Sequence, residues 1–160
     1  MKIGVISDSH GSNTCLLLAL KTLGKVDMVL HAGDHFKDIK IIQELMDVPI
    51  IGVGGNCDFS GPEEELVKLP MGKKMLLTHG HKYGVKYSLN RIAYRGEELG
   101  AQVVVFGHTH IPVNQKCGDI LLFNPGSTTR PRGIELRPTC GLLEIKEEIK
   151  GYILPLDNTK

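Results

Sequence analysis

The sequence predicts an α/β fold built on a mainly parallel sheet, with a second sheet packed against it. Short apolar runs without polar alternation, Ile3-Gly4-Val5-Ile6 and Val103-Val104-Val105-Phe106 among them, read as strands covered on both faces. Between such runs stand segments of helical periodicity, the alternation expected of βαβ units. After Phe106 the texture changes, and the apolar runs at residues 120–123, 141–145 and 152–154 follow one another without a helix. That change predicts antiparallel pairing in a second sheet stacked on the first.

Each element has a local cause. Ser12 or Asn13 can cap the first helix, Leu16, Leu20 and Leu23 form its apolar stripe, and Gly24 offers its stop. Met28-Val29-Leu30 is the second strand. Ile39, Ile42, Leu45 and Met46 mark a second helix, closed at Val48-Pro49 because the residue before proline avoids helical geometry. Ile50-Ile51-Gly52-Val53 is the third strand, and Met75-Leu76-Leu77-Thr78 begins another. Residues 88–99 carry a helical pattern terminated by Gly100. Glu63-Glu64-Glu65 and Lys146-Glu147-Glu148 read as solvated faces. No repeat, low-complexity segment or linker interrupts the chain, so the expectation is a single domain over residues 1–160.

Composition excludes several classes. With 41% hydrophobic and 23% charged residues the chain is ordinary for a globular protein. A net charge of +1 leaves no broad electrostatic footprint for nucleic acid. Cys15, Cys57, Cys117 and Cys140 form no Cys-x-x-Cys pair, which removes zinc-ribbon and thioredoxin-like readings. Met1-Lys2 leads directly into an apolar run, leaving no room for a signal peptide. The apolar stretch at residues 15–20 is far below the roughly 18 residues of a membrane helix. A reduced, cytoplasmic protein without membrane contact is the expectation.

The chemistry lies in short phrases: Asp8-Ser9-His10, Gly33-Asp34, Gly55-Asn56, Thr78-His79-Gly80 and Gly107-His108-Thr109-His110. Most follow an apolar run, so each places a donor where a strand ends, and in open α/β sheets that is the binding crevice. Glycines at 33, 55, 80 and 107 suit tight turns and close backbone approach. His108 and His110, two apart after a strand, are expected on one face. Imidazole, carboxylate and amide oxygen without thiolate suit manganese, iron, zinc or nickel better than a soft metal. Two such ions outweigh the charges of Asp8 and Asp34, leaving a field attractive to phosphate. They also lower the pKa of bound water, so no protein nucleophile is required.

The phrases, in this order, resemble the calcineurin-like metallophosphoesterases. Length and Asn124-Pro125-Gly126-Ser127 resemble their small single-domain prokaryotic phosphodiesterase branch, over residues 1 to about 154. The resemblance implies a four-layer αββα sandwich of two stacked mixed sheets. It implies that Asp8, His10 and His110 hold one metal, that Asn56, His79 and His108 hold a second, and that Asp34 bridges both. It further implies hydrolysis of a phosphodiester by a hydroxide held between two divalent ions, manganese first, with nickel, iron or zinc as alternatives. Many members carry His directly after the metal-binding Asn, to assist the leaving group. Here Cys57 stands in that place, followed by Asp58, so Asn56, Cys57 and Asp58 are the candidate catalytic residues. A thiol is a weak donor, which favours substrates with good leaving groups. Arg130 and Arg132 follow the late motif; a guanidinium there could receive phosphate oxygens, with plain solvation an equal alternative.

Three histidines fall outside the ligand set. His31 reads as a core or supporting residue, His35 as a loop residue near substrate, and His81 as a residue that could orient a ligand. Two rival functions share these features: a non-catalytic scaffold of the same fold, as in the retromer subunit, and a nuclease. The expected partner is a small phosphodiester or other phosphate ester, with nucleic acid disfavoured and a homo-oligomer plausible.

Overall fold

The computed structural model describes residues 1–157. The elements run β1 (Lys2–Ile6), α1 (Asn13–Leu23), β2 (Met28–His31), α2 (Asp38–Leu45), β3 (Ile50–Gly52), β4 (Glu64–Lys68), β5 (Lys74–Thr78), α3 (Asn90–Leu99), β6 (Val103–Val105), β7 (Val113–Cys117), β8 (Ile120–Asn124), β9 (Thr139–Ile145) and β10 (Ile149–Pro155). They form two five-stranded mixed sheets, ordered β10-β9-β1-β2-β3 and β4-β5-β6-β8-β7. In the first, β1, β2 and β3 are parallel and β9 and β10 antiparallel. In the second, β5, β6 and β8 are parallel, flanked by antiparallel β4 and β7.

The strands lack polar alternation because both faces are buried. Met28 and Leu30 on β2 enter the core between the sheets, while Val29 meets the layer of α1 and α2. Likewise Met75, Leu77, Val103, Val105, Leu121 and Phe123 point to the central core, and Leu76, Val104, Ile120 and Leu122 point to α3. Helix, sheet, sheet and helix make the four-layer sandwich. In α1, Ser12 provides the cap, accepting from the Cys15 N–H at 3.4 Å, and Leu16, Leu20 and Leu23 are buried. Gly100 closes α3 with a left-handed φ of 66°.

Two edge strands, β4 and β7, depart from the sequence expectation. In β4 only Val67 is buried, and β7 reads Val-Asn-Gln-Lys-Cys without a buried residue, so neither carries a strong apolar signal. Pairing to β5 and β8 makes them strands. Edge strands of this polarity also resist pairing with other chains. Glu64 therefore lies on a strand rather than a free acidic face. Strand β10 begins at Ile149, earlier than the apolar run suggests, and α3 begins at Asn90. Among the described residues no helix is long and apolar enough to cross a membrane.

Candidate metal centre

The parallel strands of both sheets deliver their carboxyl ends to one rim. Asp8 and His10 follow β1, Asp34 follows β2, Asn56 follows β3, His79 follows β5, and His108 and His110 follow β6. Seven non-glycine residues among those described have positive φ, and five are these donors: Asp8 (54°), His10 (46°), Asp34 (58°), His108 (67°) and His110 (60°). Each such conformation costs about 1–3 kcal/mol and persists only where surroundings impose it. The left-handed turns at His108 and His110 also undo the expectation that the pair shares a face. His110 turns to Asp8 and His10, whereas His108 turns to His79.

The donors fall into two sets that meet at Asp34. Single donor atoms of Asp8, His10, Asp34 and His110 all lie within 4.8 Å of one another. His110 Nε2 is 3.2 Å from Asp8 Oδ1 and 3.2 Å from His10 Nε2. On the other side, His79 Nε2 is 3.1 Å from Asn56 Oδ1 and 3.3 Å from Asp34 Oδ1, and the His108 ring stands edge-on to His79 at 5.1 Å. Asp34 directs Oδ2 to His10 at 3.8 Å and Oδ1 to His79.

These residues fit a cation by more than proximity. Asp8 Oδ1 is buried and has no hydrogen-bond partner, a costly state for a carboxylate oxygen unless a cation meets it. His79 Nδ1 lies 2.7 Å from the Ala32 carbonyl and His110 Nδ1 2.7 Å from the Arg130 carbonyl. Donation to those carbonyls fixes the tautomers and leaves each Nε2 free as a ligand. Burial disfavours the Asp34 carboxylate, but His79 beside it and the Cys57 N–H hold its carboxyl well below the usual range. Burial lowers His108 to about 4, with the His79 charge adding to it, so its imidazole is neutral near pH 7. Burial likewise lowers His10, against the pull of Asp34. Burial works against protonation of His79 too, yet Asp34 and Asp8 raise its pKa.

Close packing holds the loops. A Cβ at Gly55 would overlap Asp34 Oδ1, and one at Gly107 would overlap Ser7 Oγ and stand 2.7 Å from Asp8 Oδ2. Both positions therefore require glycine for close approach.

The remaining sequence-predicted residues divide. Asp58 faces the backbone: its oxygens accept from the N–H groups of His35 at 3.0 Å, Phe36 at 2.9 Å and Gly55 at 2.8 Å. It ties the Asp34 loop to the Asn56 loop. Cys57 is exposed and donates its N–H to Asp34 Oδ1 at 3.0 Å; burial and the Asp34 charge raise its thiol pKa. The Arg130 charge bears on His10, whereas Arg132 lines a separate apolar cavity. His31 is fully buried, accepting from the Gly33 N–H at 3.3 Å and standing 3.4 Å from Asp38 Oδ2. His35 reaches Asp38 at 3.6 Å, and the His81 ring lies 5.4 Å from His79.

Several supporting residues carried no signal as ligands. Ser127 Oγ donates to the Asp8 carbonyl at 2.7 Å and accepts from the N–H groups of Thr129 and Arg130. Asn124 donates to the Gly107 carbonyl at 2.9 Å and to Thr109 Oγ1 at 3.0 Å. The Asn-Pro-Gly-Ser phrase thus braces the loops that follow β1 and β6; its position after a buried strand was the available clue. Buried Asp38 accepts from the Ser9 hydroxyl, bracing the loop between Asp8 and His10.

Comparison with known proteins agrees with this geometry. Residues 1–148 match the family model described as the calcineurin-like phosphoesterase superfamily domain. The chain is 40% identical to the probable metallophosphoesterase YsnB of Bacillus subtilis over 134 residues, covering 82% of this chain and 78% of that protein. It is 31% identical to the phosphodiesterase YfcE of Escherichia coli K12 over 159 residues, covering 83% of this chain and 82% of YfcE. A crystal structure of a predicted phosphoesterase from Streptococcus pneumoniae TIGR4 superposes with a TM-score of 0.84 at 32% identity, over 98% of this chain and 90% of that one. Donor phrases, sandwich and relatives converge, and the chain belongs to the calcineurin-like phosphoesterase superfamily.

Proposed function

We propose that this protein is a metal-dependent phosphoesterase that binds two divalent ions, manganese first, and hydrolyses small phosphodiesters in the cytoplasm. One observation carries the dinuclear reading: the two oxygens of Asp34 face two different sets of nitrogen and oxygen donors. Divalent ions in such a site supply Lewis acidity and an ionised water near neutral pH. The chain supplies the rest. Ala32 and Arg130 carbonyls hold His79 and His110 in the tautomer that presents Nε2. Arg130 adds positive charge on the His10 side, suited to an anionic substrate. Cys57 keeps its proton and is a weak hydrogen-bond donor beside Asp34, where it favours esters with good leaving groups. The preference for diesters is supported by the likeness to YfcE, and the four unpaired thiols suit a reducing compartment.

The test is a metal-reconstituted panel of phosphomonoesters, aryl and alkyl diesters and cyclic nucleotides, with Asp34→Ala and His79→Ala alongside. We expect metal-dependent turnover of aryl diesters, slow alkyl diesters, and loss of turnover in both variants. Comparable aryl and alkyl rates would remove the role given to Cys57. A folded protein inactive with every divalent metal would instead favour the scaffold reading.

A further inference from the structure

Two cavities are lined by residues of the loops at the rim. One, of about 400 Å³, is lined by Asn56, Asp58, Ser60, His81 and Lys82 and belongs to the polar surroundings of the second donor set. The other, of about 610 Å³, is walled by Ile111, Pro112, Ile134, Ile153 and Pro155, with Arg132 beside them. Strand register places this second cavity at the rim as well. Pro155 pairs with Thr139, and Gly141 two residues on pairs with Val5, so Thr139 and Pro155 lie level with the end of β1. Val113 pairs with Asn124 at the end of β8. Ile111 directly follows the donor His110, and the Arg132 N–H donates to the His110 carbonyl at 3.0 Å.

The metal chemistry gives this surface no task. Ile134 is fully exposed and Ile111 partly so, an apolar patch that costs solubility without an occupant. Its volume falls in the range of small-molecule sites, roughly 300–1,000 Å³, and is small for a folded partner. Arg132 stands in its lining, while Arg137 lies 4.0 Å from Asp157 and Glu135 offsets further charge, so apolar side chains rather than charge define what it takes.

Resting on the phosphoesterase reading above, we propose that this cavity receives the apolar ester substituent of a phosphodiester whose phosphate lies at the donor cluster. The substrate class is then a diester carrying a medium-length alkyl or aryl group. Ile111, Ile134 and Ile153 set specificity by burying that group, while the leaving group lies elsewhere.

The test holds the leaving group constant. Hydrolysis of methyl, ethyl, butyl and hexyl p-nitrophenyl phosphates is followed with manganese-loaded wild type, Ile134→Asp and Ile153→Ser. Burial of a methylene is worth about fourfold, so kcat/KM should rise by about tenfold or more from methyl to butyl. The variants should bring that ratio toward one. Calorimetric binding of the matching alkyl(methyl)phosphinates, whose two P–C bonds leave no ester to hydrolyse, reads the cavity independently of turnover. A flat series with metal-dependent hydrolysis intact overturns the cavity assignment and leaves the hydrolase reading standing. Chain-length-dependent binding lost in Ile134→Asp, with no hydrolysis of any ester, does the reverse. A flat binding series with no hydrolysis removes both. Dissociation of an oligomer by Ile134→Asp with the butyl-to-methyl ratio unchanged makes the face an interface between copies and also overturns the proposal.

Discussion

Asp8 shows what a single residue must satisfy here. Its side chain leaves one buried oxygen unpartnered, and its backbone occupies a left-handed conformation unfavourable to a residue with a Cβ. Bonds from distant chain hold it: its N–H donates to the Gly33 carbonyl at 3.0 Å, and its carbonyl accepts from Ser127 and Thr129 hydroxyls. Removing the Ser127 hydroxyl should therefore affect the metal more than the fold. We expect Ser127→Ala to weaken manganese affinity by about 10–100-fold, as for other partners of ligating groups. Stability should fall by only about 1 kcal/mol, the net worth of a typical hydrogen bond. Calorimetric titration beside urea unfolding separates the two, and unchanged affinity would remove Ser127 from the site's support. The donors were legible because their short phrases contain or adjoin a glycine and most follow an apolar run. Their braces were not. Ser127 meets Asp8 across 119 residues and Ser9 meets Asp38 across 29, and serine or aspartate alone does not announce a distant partner. The backbone role of Asp58 was hidden for the same reason, since its N–H donors at His35 and Phe36 lie more than twenty residues away.

At the scale of elements, apolar runs revealed the strands that bury both faces, and the edge strands stayed hidden. Strand β4 shows why. Its sequence Glu-Glu-Leu-Val-Lys lacks an apolar run, and its place depends on partners elsewhere. Glu64 accepts from the Tyr83 hydroxyl at 2.6 Å and from the Arg95 guanidinium, tying β4 to α3 and to the turn after His79. Arg95 first, and then Tyr83, lower the Glu64 pKa against the effect of burial. A carboxylate with a lowered folded pKa contributes stability that is complete above its unfolded value and is lost as pH falls through the folded one. Glu64→Gln should thus be modestly less stable than wild type near pH 7. The gap should shrink as pH drops below about 4.5, the ordinary glutamate range. Urea unfolding of both proteins across pH 3–7 checks the sign, and a gap that widens in acid would contradict the assignment.

The whole molecule explains why so many braces are needed. Asp8, His10, Asp34 and Asn56 hang from the first sheet, whereas His79, His108 and His110 hang from the second. Each donor set therefore straddles the interface between sheets. The first joins His110 to Asp8 and His10, and the second joins His79 to Asn56 and Asp34. Phe123, Val105, Leu30 and Val5 beneath that rim hold the sheets at the spacing the donors require. A cation bound across the interface should return the favour by opposing separation of the sheets. One site saturated at 100 times its Kd adds about 2.7 kcal/mol. For a chain of this size that raises Tm by roughly 5–10 °C. Manganese should produce such a rise, a chelator should reverse it, and Asp34→Ala should lose most of it. Hydrogen exchange adds the spatial test. Protection should increase together at β1 and β2 of one sheet and β5 and β6 of the other, because the bound ion must be released before either half opens. Protection gained in one sheet alone would mean that the donors do not act as a tie between the two.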